Sequence, residues 1–283
     1  MALRFSIVGF NVPETGINGK FSKIFVVCVF LLTALTASAQ EPVVVNTESG
    51  AEYNKGLELY NKRNYTEAIT FFEKAYQLDD KNIAAVFAHG LALNGLKKYR
   101  EAAEKFRFVL EKEPGHQKAL IAYPAALYMS GQEVKALAAY DKGIKLLPEE
   151  DALYYGRSFI YYKQKKYKDA VDGLVRAVEL KSRELKYQFL LAQTYQDMGR
   201  MEDAYTTAMK ILNINKNHAR ARIIAADYKR ISGKLEDALK EYELAAKNIE
   251  TKAYAEYFIE VIKQQLEEIE IEKEWEARQN SRQ

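Results

Sequence analysis

Cysteine is nearly missing from this sequence. The one thiol, Cys28, lies inside an apolar run, so the chain has no disulfide framework and no cysteine pair able to hold zinc or carry redox chemistry. Proline is scarce, with five in 283 residues, and strand-type alternation of apolar and polar positions is hard to find. Alanine, leucine, lysine, glutamate and tyrosine dominate instead, which points to an all-α chain. A charge excess is missing too: 42 Lys plus Arg stand against 39 Asp plus Glu, so no overall field recruits nucleic acid or an anionic membrane. Histidine is limited to His89, His116 and His218, with no metal-ligand spacing among them. No G-x-S-x-G, G-x-G-x-x-G or G-x-x-x-x-G-K-[ST] occurs, which leaves no nucleophile elbow and no glycine-rich cradle for phosphate. The expectation is a chain without catalytic residues, metal or cofactor. What it does have is 48% apolar content, enough for a sizeable core.

The first forty residues stand apart. Lys20 and Lys23 precede an apolar run from Ile24 to Leu35, and Ala37-Ser38-Ala39 follows as a small-x-small cleavage site. Twelve apolar residues rise about 18 Å as a helix, against roughly 30 Å for the hydrocarbon layer, so the run suits a signal peptide better than a permanent membrane span. Cys28 is preceded by Phe25-Val26-Val27 and lacks the small residue expected before a lipid-modified cysteine. The mature chain is therefore expected to begin at Gln40, followed by a short linker over 40–48. The Ser38-Ala39-Gln40 ending resembles export signals of the Bacteroidota, which implies an exported, periplasmic or envelope-associated protein that meets the membrane only through its signal peptide or an envelope partner.

The remainder is periodic. Stepping by 34 from Ala68 meets Ala102, Ala136, Ala170, Ala204 and Ala238, with no insertion to break the count, which marks an internal repeat. Four residues on stand Phe72, Phe106, Tyr140, Leu174, Ala208 and Tyr242, and three further on Ala75, Val109, Gly143, Ala177, Ile211 and Ala245. That is the i, i+4, i+7 face of a helix. Twelve residues before each alanine stand Gly56, Gly90, Pro124, Ser158, Ala192 and Ala226, small apart from the proline, as suits helices that cross closely. Turn-prone residues at 61–64, 130–132, 198–200 and 232–234 separate the two helices of a repeat, and Pro114 and Pro148 stop the second helix. Pro124 falls inside a first helix and is expected to kink it or displace one backbone bond, making the third repeat the place for local irregularity.

Gly56 with Ala68 and Phe72, and Gly90 with Ala102, Phe106 and Pro114, resemble the tetratricopeptide repeat family. The resemblance covers Ser49 to Lys252 as six repeats: 49–82, 83–116, 117–150, 151–184, 185–218 and 219–252. No repeat carries the family's tryptophan, and the last three lack its closing proline. The resemblance implies a right-handed superhelical solenoid with first helices on the concave side. Residues 253–283 are then a C-terminal capping helix and acidic tail, with Phe258, Ile262 and Ile269 on the covering face.

On the same implication the i, i+4, i+7 face of the first helices lines a groove, and Tyr53, Leu57, Tyr60, Phe87, Leu91, Tyr128, Tyr155, Phe159, Tyr162 and Phe189 become candidate contacts for a protein or peptide segment. Tyr60, Tyr128 and Tyr162 are the strongest choices, since each is last on its face and carries a hydroxyl. The same residues also pack between neighbouring first helices, so the face divides between structure and recognition. The basic clusters 97–100 and 163–168 sit in equivalent turns and read as solvated loops rather than as a nucleic-acid surface. The glutamates from Glu267 onward read as a solvated helix end. The functional expectation is a non-enzymatic scaffold or adaptor of the cell envelope that binds a protein segment and supports envelope assembly or secretion. The alternatives are a self-assembling structural spacer and an accessory subunit of an envelope enzyme, the last requiring a polar pocket with a buried carboxylate or histidine.

Overall fold

The computed structural model describes residues 48–281; the expected signal peptide and linker lie outside them, apart from Glu48. The described residues form thirteen α-helices and no strand. They divide into two compact units, with the boundary between Gln132 and Glu133. The first unit holds α1 (Glu48–Asn61), α2 (Tyr65–Leu78), α3 (Ile83–Gly95), α4 (Tyr99–Lys112) and α5 (Gln117–Met129). The second holds α6 (Glu133–Leu146), α7 (Asp151–Lys163), α8 (Tyr167–Leu180), α9 (Leu185–Asp197), α10 (Met201–Ile214), α11 (Ala219–Ile231), α12 (Leu235–Ala245) and α13 (Lys252–Asn280). Among these residues no helix is long and apolar enough to cross a membrane.

The 34-residue period reappears in the helix starts. Second helices begin at 65, 99, 133, 167, 201 and 235, and first helices from the second repeat onward at 83, 117, 151, 185 and 219. The six marker alanines have no exposed surface. Within each unit they let the second helix of a repeat approach its partner, while the residue four further on fills the gap: Phe72, Phe106, Leu174, Ala208 and Tyr242 are likewise sealed. The small column opposite them is a steric requirement. A Cβ on Gly56 would stand 2.5 Å from Cε1 of Phe72, and one on Gly90 would stand 2.6 Å from Cε1 of Phe106. Burying rings of this kind contributes about 1.5–3 kcal/mol each.

The turn from first to second helix needs one left-handed residue, which terminates the helix by satisfying its last carbonyls. Glycine supplies it at Gly131, Gly199 and Gly233, whereas Arg63, Lys97 and Lys165 adopt the same conformation at φ near 60°, at a cost of about 1–2 kcal/mol each relative to glycine. The opposite ends of the hairpins are closed by side chains. Ser49 Oγ donates to the Ala75 carbonyl at 2.8 Å and accepts from Asn82 Nδ2 at 2.9 Å, while Asn82 Oδ1 accepts from the Ala85 amide at 3.1 Å. One pair of side chains thus ties together the start of α1, the end of α2 and the start of α3. The two histidines that end repeats cap helices in the same way: His116 Nδ1 accepts from the Ala119 amide and His218 Nδ1 from the Ala221 amide, both at 3.1 Å.

Pro124 lies within α5, which runs unbroken from Gln117 to Met129. Its missing N–H removes the intrahelical bond to the carbonyl four residues back, and the division between the two units falls in the turn that follows. The last helix departs from expectation at its far end. Ala255, Ile259 and Ile262 of α13 are buried against α12, with Phe258 and Leu266 partly so, but Ile269 is exposed. The cause is length: α12 has 11 residues and α13 has 29, so the packed face ends near Leu266 and the rest of α13 has nothing of its own unit to lie on.

Candidate functional site

Packing sorts the first-helix face into covered and open positions. Phe87, Tyr155 and Phe159, expected on the open face, are only 7%, 8% and 7% exposed. Phe87 is wedged between Phe106 and His116, at ring separations of 5.4 and 4.9 Å, and Tyr155 packs at a tilt against Tyr187 at 4.7 Å. These rings underlie the surface instead of forming it. Tyr53, Leu57, Tyr60, Leu91, Tyr128, Tyr162 and Phe189 are half-buried, so each offers one flank to solvent while the other packs.

The hydroxyls on this face are largely committed. Tyr60 leans on Tyr65 at 5.3 Å, and burial, helped by Tyr65, pushes its phenol up to about 12. Tyr162 donates to Asp197 Oδ2 at 2.7 Å; burial and that carboxylate raise its pKa. Tyr187, which sequence reasoning left out, donates to Asp151 and carries Lys186 Nζ 5.1 Å above its ring. Burial lowers the pKa of that lysine. The face of the second unit is thus a row of rings overlain by cations: Lys163 lies over Phe159 and Tyr162, Arg220 over Phe189, and Arg230 over Phe258 at 4.3 Å. Such pairs stabilise by about 0.5–2 kcal/mol, and they leave a surface that is aromatic beneath and polar above.

Two further features were invisible in the repeat pattern. In the first unit a cleft of about 500 Å³ opens between α2 and α4, walled by Phe72, Tyr76 and Phe108, with Val86 and His89 of α3 and a rim that includes Glu73 and Lys105. Tyr76 and Phe108 meet edge to face at 5.9 Å. His89 is buried, and burial together with Lys105 lowers its pKa to about 4. Its Nε2 is 3.7 Å from Glu73 Oε1, too far for a hydrogen bond. A neutral imidazole among rings offers a ligand one polar contact.

The second unit contains a buried carboxylate, Asp227. Its Oδ1 accepts from Tyr242 Oη at 2.5 Å and from Tyr254 Oη at 3.0 Å, and Oδ2 accepts from Gln196 Nε2 at 3.2 Å. Arg230 Nε donates to Tyr242 Oη at 3.2 Å. Burial raises the pKa of Asp227, against the opposing pull of Tyr242, Tyr254, Arg230 and Gln196. Its acceptor capacity is spent on side chains from α9, α12 and α13, so the carboxylate locks the last hairpin to its neighbours. His89 and Asp227 therefore lie in different units, and the buried carboxylate of the first unit, Glu52, is ion-paired with Lys55 and Lys74, each at 3.1 Å. Among the described residues no group of three or more His, Cys, Asp or Glu is placed to hold a metal.

Comparison with known proteins bears on this architecture. A model of the tetratricopeptide repeat matches residues 52–82 and 185–218. A TPR repeat-containing protein of Methanocaldococcus jannaschii, MJ1428, is 24% identical over 182 residues; the match covers 61% of this chain and 31% of that longer protein. Among solved structures, that of PilW, a widely conserved type IV pilus biogenesis factor, superimposes with a TM-score of 0.60 at 20% identity, covering 72% of this chain and 94% of PilW. YrrB, a TPR protein with an unusual peptide-binding site, gives a TM-score of 0.55 at 18% identity over 66% of this chain and 96% of its own. At these identities the likeness establishes the fold: the consecutive helix pairs of this chain have the architecture that those tetratricopeptide-repeat structures share.

Proposed function

We propose that this chain is a non-enzymatic protein-interaction scaffold of the cell envelope, which holds a protein segment against the first-helix face of its repeats. The observation that carries this reading is the set of half-buried side chains on the first helices of each unit, Tyr53, Leu57, Tyr60, Leu91 and Tyr128 in the first and Tyr162 and Phe189 in the second. These side chains present ring edges and aliphatic flanks, already held in place by packing on the other side, so a partner gains contact area at little entropic cost. The likeness to YrrB, with its unusual peptide-binding site, supports a role in binding protein partners, and the Lys20–Gln40 layout supports export.

Photo-crosslinking in cells tests the binding face. A photoreactive phenylalanine analogue at Leu57 or Leu91 is expected to give discrete protein adducts, while the same analogue at Val134, an exposed position on a second helix, gives none. Equal adducts at all three positions would remove the first-helix face from the account. Export is tested by N-terminal sequencing of the protein recovered from envelope and periplasmic fractions, which should begin at Gln40; recovery of intact Met1 chains from the cytosol would overturn it.

A further inference from the structure

The second unit leaves two oppositely charged surfaces bare. The first is the end of α13. From Glu267 to Arg278 the helix carries six glutamates against Lys273 and Arg278, and every residue of this stretch is exposed. Only Glu274 is paired, with Arg278 at 3.0 Å; Glu267, Glu268, Glu270, Glu272 and Glu276 enter no ion pair among the described residues. At 100° per residue, Glu267, Glu270 and Glu274 form one row and Glu268, Glu272 and Glu276 another. Ile271 and Trp275, each 61% exposed, lie between the rows. An apolar strip flanked on both sides by carboxylates, of which Glu274 alone is paired, is poorly matched to water, and like charges at i, i+4 destabilise the helix.

The second surface is the turn between α7 and α8. Lys163, Lys165, Lys166 and Lys168 fall within six residues, all exposed, and none enters an ion pair among the described residues. Two of them lie over rings: Lys163 over Phe159 and Tyr162, and Lys166 over Tyr161 at 6.0 Å. The comparable turn at 97–100 is weaker, since Lys98 is paired with Glu101. The lysine turn and the helix end thus show the same pattern with opposite sign, rings with cations in one and apolar side chains with anions in the other.

We propose that the acidic end of α13 of one molecule docks on the Lys163–Lys168 turn of a second copy of this chain. A symmetrical pairing of two α13 ends is disfavoured because it sets glutamate rows against glutamate rows. Each molecule carries both surfaces and uses both, so the contact closes reciprocally as a two-fold dimer, α13 of each copy on the turn of the other, or runs head to tail into a ring or a chain of molecules. Trp275 is the only tryptophan of the sequence, which makes its emission a direct report on the docked helix.

The test is sedimentation velocity and Trp275 fluorescence on the purified protein across a concentration series. At about 10 mM salt, where the screening length is ~30 Å, mass should rise with concentration above that of the monomer and the emission should shift to the blue; at about 1 M, where it is ~3 Å, both should revert. Two charge-reversed variants sharpen the test: Lys163→Glu with Lys165→Glu, Lys166→Glu and Lys168→Glu, and Glu268→Lys with Glu270→Lys, Glu272→Lys and Glu276→Lys. All eight positions are exposed, and far-UV circular dichroism checks that each variant is folded. Each alone should remain monomeric, and an equal mixture of the two should associate. A wild-type protein that stays monomeric at low salt, or an association that neither variant alters, would overturn the proposal. So would a monomer that retains poly-glutamate through the lysine turn, since that assigns the turn to a different acidic protein.

Discussion

Removing the carboxylate of Asp227 should cost far more than neutralising it. In Asp227→Ala the hydroxyls of Tyr242 and Tyr254 lose their acceptor. Tyr242 has no exposed surface, so its hydroxyl forfeits a hydrogen bond with no water to replace it, at about 1–3 kcal/mol. Tyr254 is half-buried and can reach water, which limits its loss to about 1 kcal/mol. Against this stands the relief of removing a desolvated carboxylate, whose raised pKa records that burial disfavours its charged form. The net expectation is a destabilisation of ~2–3 kcal/mol for the alanine variant, and ~1 kcal/mol or less for Asp227→Asn, which still accepts from both tyrosines. The pH dependence has a fixed sign. With the folded pKa above the unfolded value, the contribution of Asp227 is fully present below the ordinary carboxylate range and is lost as pH rises through the folded pKa. The wild type should therefore lose ground to Asp227→Asn as pH is raised from about 4 towards neutrality. Urea unfolding followed by far-UV circular dichroism at a series of pH values measures both quantities. Equal costs for the two variants, or a wild-type advantage that grows with pH, would refute the account of Asp227 as a desolvated acceptor.

Other expectations follow from single contacts. Gly90→Ala sets a Cβ 2.6 Å from Phe106, and overpacking of about 1–3 kcal/mol should outweigh the ~1 kcal/mol gain in helix propensity, giving a lower urea midpoint. His218→Ala should cost ~1 kcal/mol by uncapping α11, with His218→Asn recovering most of it. Burial lowers the pKa of His218, so its cap is fully present above the ordinary histidine range and is lost as pH falls through the folded value; the asparagine variant should overtake the wild type in acid. His89 should stay neutral down to a pH of about 4 in an NMR titration, and a titration near the ordinary imidazole value would show that the cleft is wetter than its walls suggest.

Much of the architecture was legible in the residues because repeat proteins are held together by near neighbours. The 34-residue step in alanine, the small column at Gly56 and Gly90 and the rings opposite it report contacts between adjacent helices of one unit. Local chemistry of the same kind placed His116 and His218 at the ends of repeats, although their capping role needed the geometry of Nδ1 against the amides of Ala119 and Ala221. Periodicity also located the first-helix face. It could not say how far the next helix covers that face, because a residue's phase on one helix carries no information about the neighbour's side chains.

That division runs through the whole molecule. By itself the sequence determined the helix pairs, their spacing, the core columns and the lack of a recognisable catalytic or nucleotide motif, since each depends on residue types at short separations. Only the tertiary structure decided that Phe87, Tyr155 and Phe159 lie under the surface, that His89 meets Glu73 across a cleft, and that Asp227 gathers Tyr242, Tyr254 and Gln196 from three other helices. It likewise decided that α13 outruns α12 and leaves Ile269, Ile271 and Trp275 bare. Each of these is set by how far one helix extends over another and by which side chains converge from separate repeats, quantities that packing in three dimensions fixes and that no single period along the chain encodes.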